Sequence, residues 1–235
     1  MDFAKVFNEA LPLLLEGLKL TVITSLVSIG IGMIIGLFVC LMKMSKNVVL
    51  RAIAGVYIWI IRGTPMLVQA FIVFFGVPQI IRMFVSDFKF TAITAGVITL
   101  SLNAGAYLAE IYRGGIMAVP KGQTEAARSL GMTHGQTMRK VVLPQALKFS
   151  IPSLVNQFII TIKDTSILSA IGMAELVNKA KTYVGSTYTF FETYLVVALM
   201  YLVIISLLMI LSNYIEKKLK YEAKSKRGKR HRDQH

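Results

Sequence analysis

Five long apolar stretches constrain this chain more than any other feature, lying at roughly 18–42, 52–81, 91–112, 149–172 and 193–215. A helix rises about 1.5 Å per residue, so about twenty apolar residues cross the hydrocarbon core of a bilayer. Each stretch reaches that length. The composition agrees, because 55% hydrophobic and 16% charged residues over 235 positions is too apolar for an ordinary soluble domain. The expected fold is therefore an all-α integral membrane protein with five transmembrane helices. Its opening residues, MDFAKVFNEALPLLLEG, carry no basic leader ahead of a short apolar core, so the first stretch is expected to stay as an anchor.

The basic residues set an expected orientation. Lys43, Lys46 and Arg51 separate the first two stretches, and Arg113, Lys121, Arg128, Arg139, Lys140 and Lys148 separate the third and fourth. Lys and Arg concentrate on the cytoplasmic side, which gives N-outside, C-inside for five spans. The net charge of +14 is weighted to the end, where nine Lys or Arg lie between Glu216 and Asp233. The division is thus a transmembrane domain over 1–215 and a basic cytoplasmic tail over 216–235, suited to an anionic membrane face. No stacking aromatics or DNA-binding motif accompany the tail, so no nucleic-acid partner is expected.

Chemistry is sparse. Cys40 is the one cysteine and lies in an apolar run, which excludes an intrachain disulfide and a thiol metal cluster. No Ser/His/Asp, HExxH or CxxC arrangement occurs, and no phosphate-binding G-x-x-x-x-G-K-[ST] loop. Catalytic residues, metal ligands and a cofactor of the chain's own are not expected. Gly30, Gly32 and Gly36 in the first stretch have the spacing that lets helices approach closely in lipid.

A polar interruption stands out between the third and fourth stretches. Pro120 and Gly122 break the chain, QTEAARSL then favours a helix, and Gly131 suits a left-handed cap. Thr133 with Gln136 has capping-box spacing for a second helix, which Pro144 is expected to stop or kink. Glu125 and Arg128 lie three apart and can pair on the helix surface. Ala126 and Ala127 are small enough for a partner backbone to approach. Such a segment is either a docking knob or an amphipathic connector lying on the bilayer.

Its spacing carries a resemblance. EAA at 125–127, three residues, Gly131, nine residues, Val141, one residue, then Leu143 and Pro144 resembles the EAA loop of bacterial ABC-importer permeases, with valine in place of isoleucine. RGTPMLVQ at 62–69, AYLAEIYRGGI at 106–116, VPKGQ at 119–123, LPQA at 143–146 and KDTSIL at 163–168 are similar to the polar amino-acid uptake subfamily, over nearly all the chain except its tail. The resemblance implies a cytoplasmic two-helix coupling loop, at about 120–145 between helices 3 and 4, that engages a dimer of ABC ATPase subunits through Glu125, Ala126, Ala127, Arg128, Gly131, Leu143 and Pro144. It also implies an extracytoplasmic amino-acid-binding protein, a second permease copy or paralogue, ATP and Mg on the ATPase alone, and residence in the bacterial cytoplasmic membrane.

Polar residues within the spans are candidates for the substrate path. Arg62, Gly63, Thr64 and Gln69 surround a break at Pro65, where a hinge and a substrate contact are both open readings. Gln157, Thr161 and Asp164 follow i, i+4, i+7 and share one helix face. Asp164 either faces an amino-acid substrate or pairs with Arg62. A zwitterion needs an acceptor for its ammonium and donors for its carboxylate, which Asp164 with Arg62 or backbone amides would provide. Family members that carry cationic amino acids can have an acid at the position of Gln157. Its amide here points to a neutral polar substrate such as cystine or glutamine. The competing reading is a stand-alone secondary carrier or channel, uncoupled to any ATPase, in which the loop is only a surface helix.

Overall fold

The computed structural model describes residues 3–232, with side chains described to Ile215 and at Lys217. Most of the basic tail's side chains thus lie outside the described residues. Among those residues the fold is helical, without strands. In chain order the helices are α1 (Phe3–Met44), α2 (Val48–Gly63), α3 (Met66–Ile81) and α4 (Ala92–Met117). They continue as α5 (Lys121–Ser129), α6 (134–164), α7 (Leu176–Thr187) and α8 (Phe190–Arg232), with a tight 3-10 turn at Thr165–Ile171 between α6 and α7.

Among the described residues, α1, α4 and the Phe190–Ile215 part of α8 are each long and apolar enough to cross a membrane. Helices α2 and α3 pass the same test only together, and they meet at a bend of 107°. The stretch expected as a single span at 52–81 is therefore a broken one. The stretch expected at 149–172 differs too, because Gln157, Lys163 and Asp164 dilute its apolarity and its helix gives way to the 3-10 turn after Asp164. The length and apolarity of the helices account for three spans, or four with the bent pair counted as one.

The chain divides into two compact units. One comprises Met1–Glu110 and Gln157–Leu202, the other Ile111–Asn156 and Val203–His235. In the first, α1 presents a face of small residues, with Thr21, Ser25, Ser28, Gly32 and Gly36 all buried. A Cβ on Gly32 would lie 2.9 Å from that of Ala104, and one on Gly36 would lie 2.8 Å from that of Leu108. Backbone contact of this kind admits only glycine. Gly30, of the same run, faces open space instead.

Farther towards its start, α1 packs on α7. Gly17 abuts the backbone of Leu176, whose amide donates to Thr21 Oγ1 at 3.2 Å. Glu175 is fully buried and caps α7, its carboxylate accepting from the amides of Val177 at 2.9 Å and Asn178 at 2.7 Å. Burial pushes this carboxyl's pKa up, against the pull of those two amides. Val6, Ala10 and Leu14 complete the interface with Ala180, Val196 and Val197.

Prolines explain the remaining irregularities. A proline has no N–H and its ring crowds the carbonyl four residues back. Before Pro12, Pro78 and Pro144 the helix widens into a five-residue π turn, at Val6–Ala10, Ile72–Gly76 and Met138–Val142. In each, the residue just ahead of the proline donates five residues back: Leu11 to Val6, Val77 to Ile72, Leu143 to Met138. The wide turn draws the crowded carbonyl aside, so helical structure continues. Of the two outcomes expected at Pro144, a stop does not occur: the helix is distorted into a π turn before it, and the chain stays helical from 134 to 164.

Pro152 lies inside α6 with no π turn of its own, whereas at Pro65 the helix breaks, with Thr64 and Pro65 extended. A side chain repairs the break. Gln69 Nε2 lies within hydrogen-bonding distance of three acceptors, Ile61 O at 2.8 Å, Thr64 Oγ1 at 2.9 Å and Thr64 O at 3.1 Å. Its Oε1 accepts from Asn103 Nδ2 of α4 at 3.2 Å, and both amides are buried.

Two substitutions check this account. Gly36→Leu overpacks the α1–α4 contact and is expected to cost about 1–3 kcal/mol, read as a lower thermal midpoint in detergent. Gly30→Leu, facing open space, should leave that midpoint in place. Gln69→Leu keeps the volume but strips the break of its donors, at about 1–3 kcal/mol for each buried acceptor left unpaired. Unchanged melting of the Gln69→Leu protein would refute the clip.

Candidate functional site

The break gathers unpaired backbone groups. Helix α2 ends with its carbonyls pointing into the gap, and α3 begins with its amides there. Thr64 Oγ1 donates to Ile60 O at 2.8 Å, and Gln69 covers Ile61 O. Among the described residues no donor reaches the carbonyls of Arg62 and Gly63, and no acceptor reaches the amides of Met66 and Leu67. Arg62, Gly63 and Thr64 are all exposed. A Cβ on Gly63 would meet nothing, so the gap is open there. The Arg62 guanidinium stacks over the Tyr107 ring, 5.1 Å from its centroid, which holds the cation beside the break.

Gln157 and Thr161 are buried, at 4% and 2% exposure, and Asp164 is half-buried. The face they share is therefore turned largely to protein. Thr161 Oγ1 donates to Gln157 O at 2.9 Å, satisfying the hydroxyl within its own helix. Asp164 ends α6, and Leu168 and Ile171 of the following turn share one apolar core with Ala70 and Val73 of α3. That core ties the beginning of α3 to the segment after Asp164. Among the described residues no ion pair joins Asp164 to Arg62. Gln69, the remaining sequence candidate, spends its polar groups on the clip described above. Its partner Asn103 carried no signal in the sequence, because the two lie 34 residues apart.

The polar loop belongs to the second unit. Helix α5 closes in a Schellman arrangement, with Met132 N–H donating to Ala127 O at 3.2 Å and Gly131 N–H to Arg128 O at 3.0 Å. Gly131 is left-handed, at φ 79°, as its place in the sequence leads one to expect. Thr133 caps the following helix through the expected reciprocal box with Gln136. Arg128 does not pair with Glu125. Its Nη1 donates to Met132 O at 3.0 Å instead, bracing the glycine corner.

Glu125, Ala126, Arg128, Gly131, Leu143 and Pro144 are exposed, while Ala127 is buried. Leu130, which the sequence did not single out, is 84% exposed at the corner. Inside the fold of the loop is a cavity of about 460 Å3, lined by Ile116, Thr124, Glu125, His134, Thr137 and Met138 among others. A small apolar cluster of Val119, Val142 and Ala146 anchors the loop to the ends of its flanking helices.

Comparison with known proteins places this architecture. Residues 5–221 match the family model of the binding-protein-dependent transport system inner membrane component. The probable amino-acid ABC transporter permease YckA of Bacillus subtilis is 41% identical over 214 residues, covering 91% of this chain and 92% of its own. The glutamine transport system permease GlnP of Escherichia coli is 37% identical, covering 90% and 94%. Among solved structures, an amino acid ABC transporter with histidines superposes with a TM-score of 0.87 at 41% identity, covering 93% and 99%. The chain belongs to the binding-protein-dependent transport system inner membrane components, among the amino-acid ABC transporter permeases, and is a transport subunit of a bacterial inner membrane rather than an enzyme.

Proposed function

We propose that the chain forms half of the translocation pathway of an ATP-driven importer for a polar, neutral amino acid such as glutamine or cystine. A second copy or a paralogue completes the pathway, and an extracytoplasmic binding protein delivers the substrate. ATP and Mg are bound by two separate ATPase subunits. The five spans are α1, the bent pair α2 and α3, α4, α6 with its terminal turn, and α8. The N-terminus lies outside and the C-terminus inside, with 1–215 as the permease domain and 216–235 as a cytoplasmic tail.

The observation that carries this reading is the exposed helix, glycine corner and helix at Glu125–Pro144. Glu125, Ala126, Arg128 and Gly131 are exposed around the corner, Glu125 also bordering the cavity beneath it, and Leu130 supplies an apolar anchor there. Ala127 packs inward and holds the helix to its base, and Leu143 with Pro144 begins the return to lipid. Closure of the ATPase dimer would then move a rigid knob. Glu125→Lys reverses the outward charge. Gly131→Arg forces a side chain into a left-handed residue, at a cost of about 1–2 kcal/mol. Both variants are expected to insert normally yet abolish uptake and substrate-stimulated ATP hydrolysis in proteoliposomes holding the whole importer. Full coupled uptake by either would reject the loop as the coupling element.

For the substrate, the open carbonyls of Arg62 and Gly63 suit an ammonium, and the first amides of α3 with the Arg62 guanidinium suit a carboxylate. Thr64 lines the same gap, while Gln69 shapes it. Gln157, Thr161 and Asp164 provide the side-chain readout. Relatives named for glutamine and for arginine transport match this chain at 37% identity alike, so the preference proposed for a neutral substrate rests on the amide of Gln157. Asp164→Asn is expected to lower uptake at least about tenfold while leaving assembly with the ATPase intact, the equivalent of about 1.4 kcal/mol. Normal uptake by that variant would remove Asp164 from the path.

A further inference from the structure

A second feature of the first unit points outward. Between the end of α1 and the start of α2 lies an open groove of about 550 Å3, lined by Lys43, Val48, Arg51, Ala52, Gly55, Val56 and Trp59. Lys43 and Arg51 supply its charge, and Val48, Ala52, Val56 and Trp59 form its apolar wall along α2. Trp59 is 74% exposed. Gly55 makes room for the cation, since a Cβ there would lie 2.9 Å from Lys43 Nζ.

The groove is fixed by its turn. Ser45 N–H donates to Met42 O at 3.2 Å, Asn47 N–H to Ser45 Oγ at 3.1 Å, and Asn47 Oδ1 accepts from Val49 N–H at 2.9 Å as the cap of α2. Three hydrogen bonds thus fix the turn between Lys43 and Arg51. Their charge is also uncompensated. No acidic residue occurs from Gly17 through Ser86, and among the described residues no carboxylate pairs with either cation.

We infer that this groove is a binding site for an anionic phospholipid, whose phosphate sits between Lys43 and Arg51 and whose acyl chain lies along Ala52, Val56 and Trp59. A free phosphate would use the cations and leave the apolar wall bare. A second copy of the chain carries the same two cations and would meet them with like charge. The lipid satisfies both ends, because charge near a membrane surface attracts acidic headgroups and the exposed apolar wall of α2 accepts an acyl chain.

The test uses the whole importer, purified from nanodiscs of phosphatidylcholine with or without phosphatidylglycerol, and counts retained lipid by native mass spectrometry. Retention of phosphatidylglycerol over phosphatidylcholine by the native chain is expected. Lys43→Gln and Arg51→Gln should each lower its occupancy affinity about fivefold, and the pair about thirtyfold. Gly55→Leu, which fills the groove without changing charge, should displace the lipid as well, and so separates loss of the site from loss of charge. Monodisperse elution of each variant with its ATPase shows that assembly persists. Equal retention of the two lipids, competition by inorganic phosphate without any dependence on acyl chains, or Trp59→Cys cross-linking to a second copy in place of lipid would each overturn the inference.

Discussion

A hydrogen bond that proline cannot donate governs where this chain departs from a straight helix. In lipid there is no water to take up a lost backbone partner, so each proline in a span needs a local remedy. Two remedies occur. Before Pro12, Pro78 and Pro144 the helix widens and goes on. At Pro65 it does not go on, and the amide of Gln69 covers the orphaned acceptors from the far side of the break. The same chemistry thus yields a widened but continuous helix before three prolines and a 107° turn at Pro65, where backbone groups are left open.

The break is held as well as opened. Asn103 fixes Gln69 from α4, while Gly32 and Gly36 bring α1 against the same helix at backbone distance. Tyr57 of α2 donates to Leu102 O at 2.6 Å, one residue from Asn103. Helix α4 is therefore the post on which α1, α2 and the break are all registered. Such packing is rigid because it relies on backbone approach rather than on flexible side chains. A site of exposed carbonyls and amides keeps its geometry only on a support of this kind.

Much of this was legible in the sequence where the signal is local. Gly131 and the Thr133–Gln136 box act within one turn, and both adopt the expected geometry. Pro65 was legible as a break because it follows glycine and threonine. What was not legible shares one cause. Pro144 was read from its own chemistry, whereas the outcome depended on the five residues before it. Spacing allowed Arg128 to pair with Glu125, but the glycine corner brings the Met132 carbonyl within its reach. Gly30 has the same composition and context as Gly32, and only the position of α4 tells them apart. Gln69 likewise needed a partner 34 residues away before its role could be seen.

Recognition through backbone groups also divides the work of a transporter in a definite way. On the proposed reading, carbonyls and amides at the helix break address the ammonium and carboxylate that all amino acids share, whatever side chains the sequence places nearby. Selectivity must then come from a few side chains beside the break. On the proposed reading those are Gln157, Thr161 and Asp164, carried on a helix whose terminal turn is packed into the same core as α3. A change of substrate would require altering that one face while leaving Arg62–Pro65, Gln69 and Asn103 as they are. On that reading the scaffold and the specificity are separable, with the fold carried by glycines and prolines and the cargo by the face of Gln157, Thr161 and Asp164.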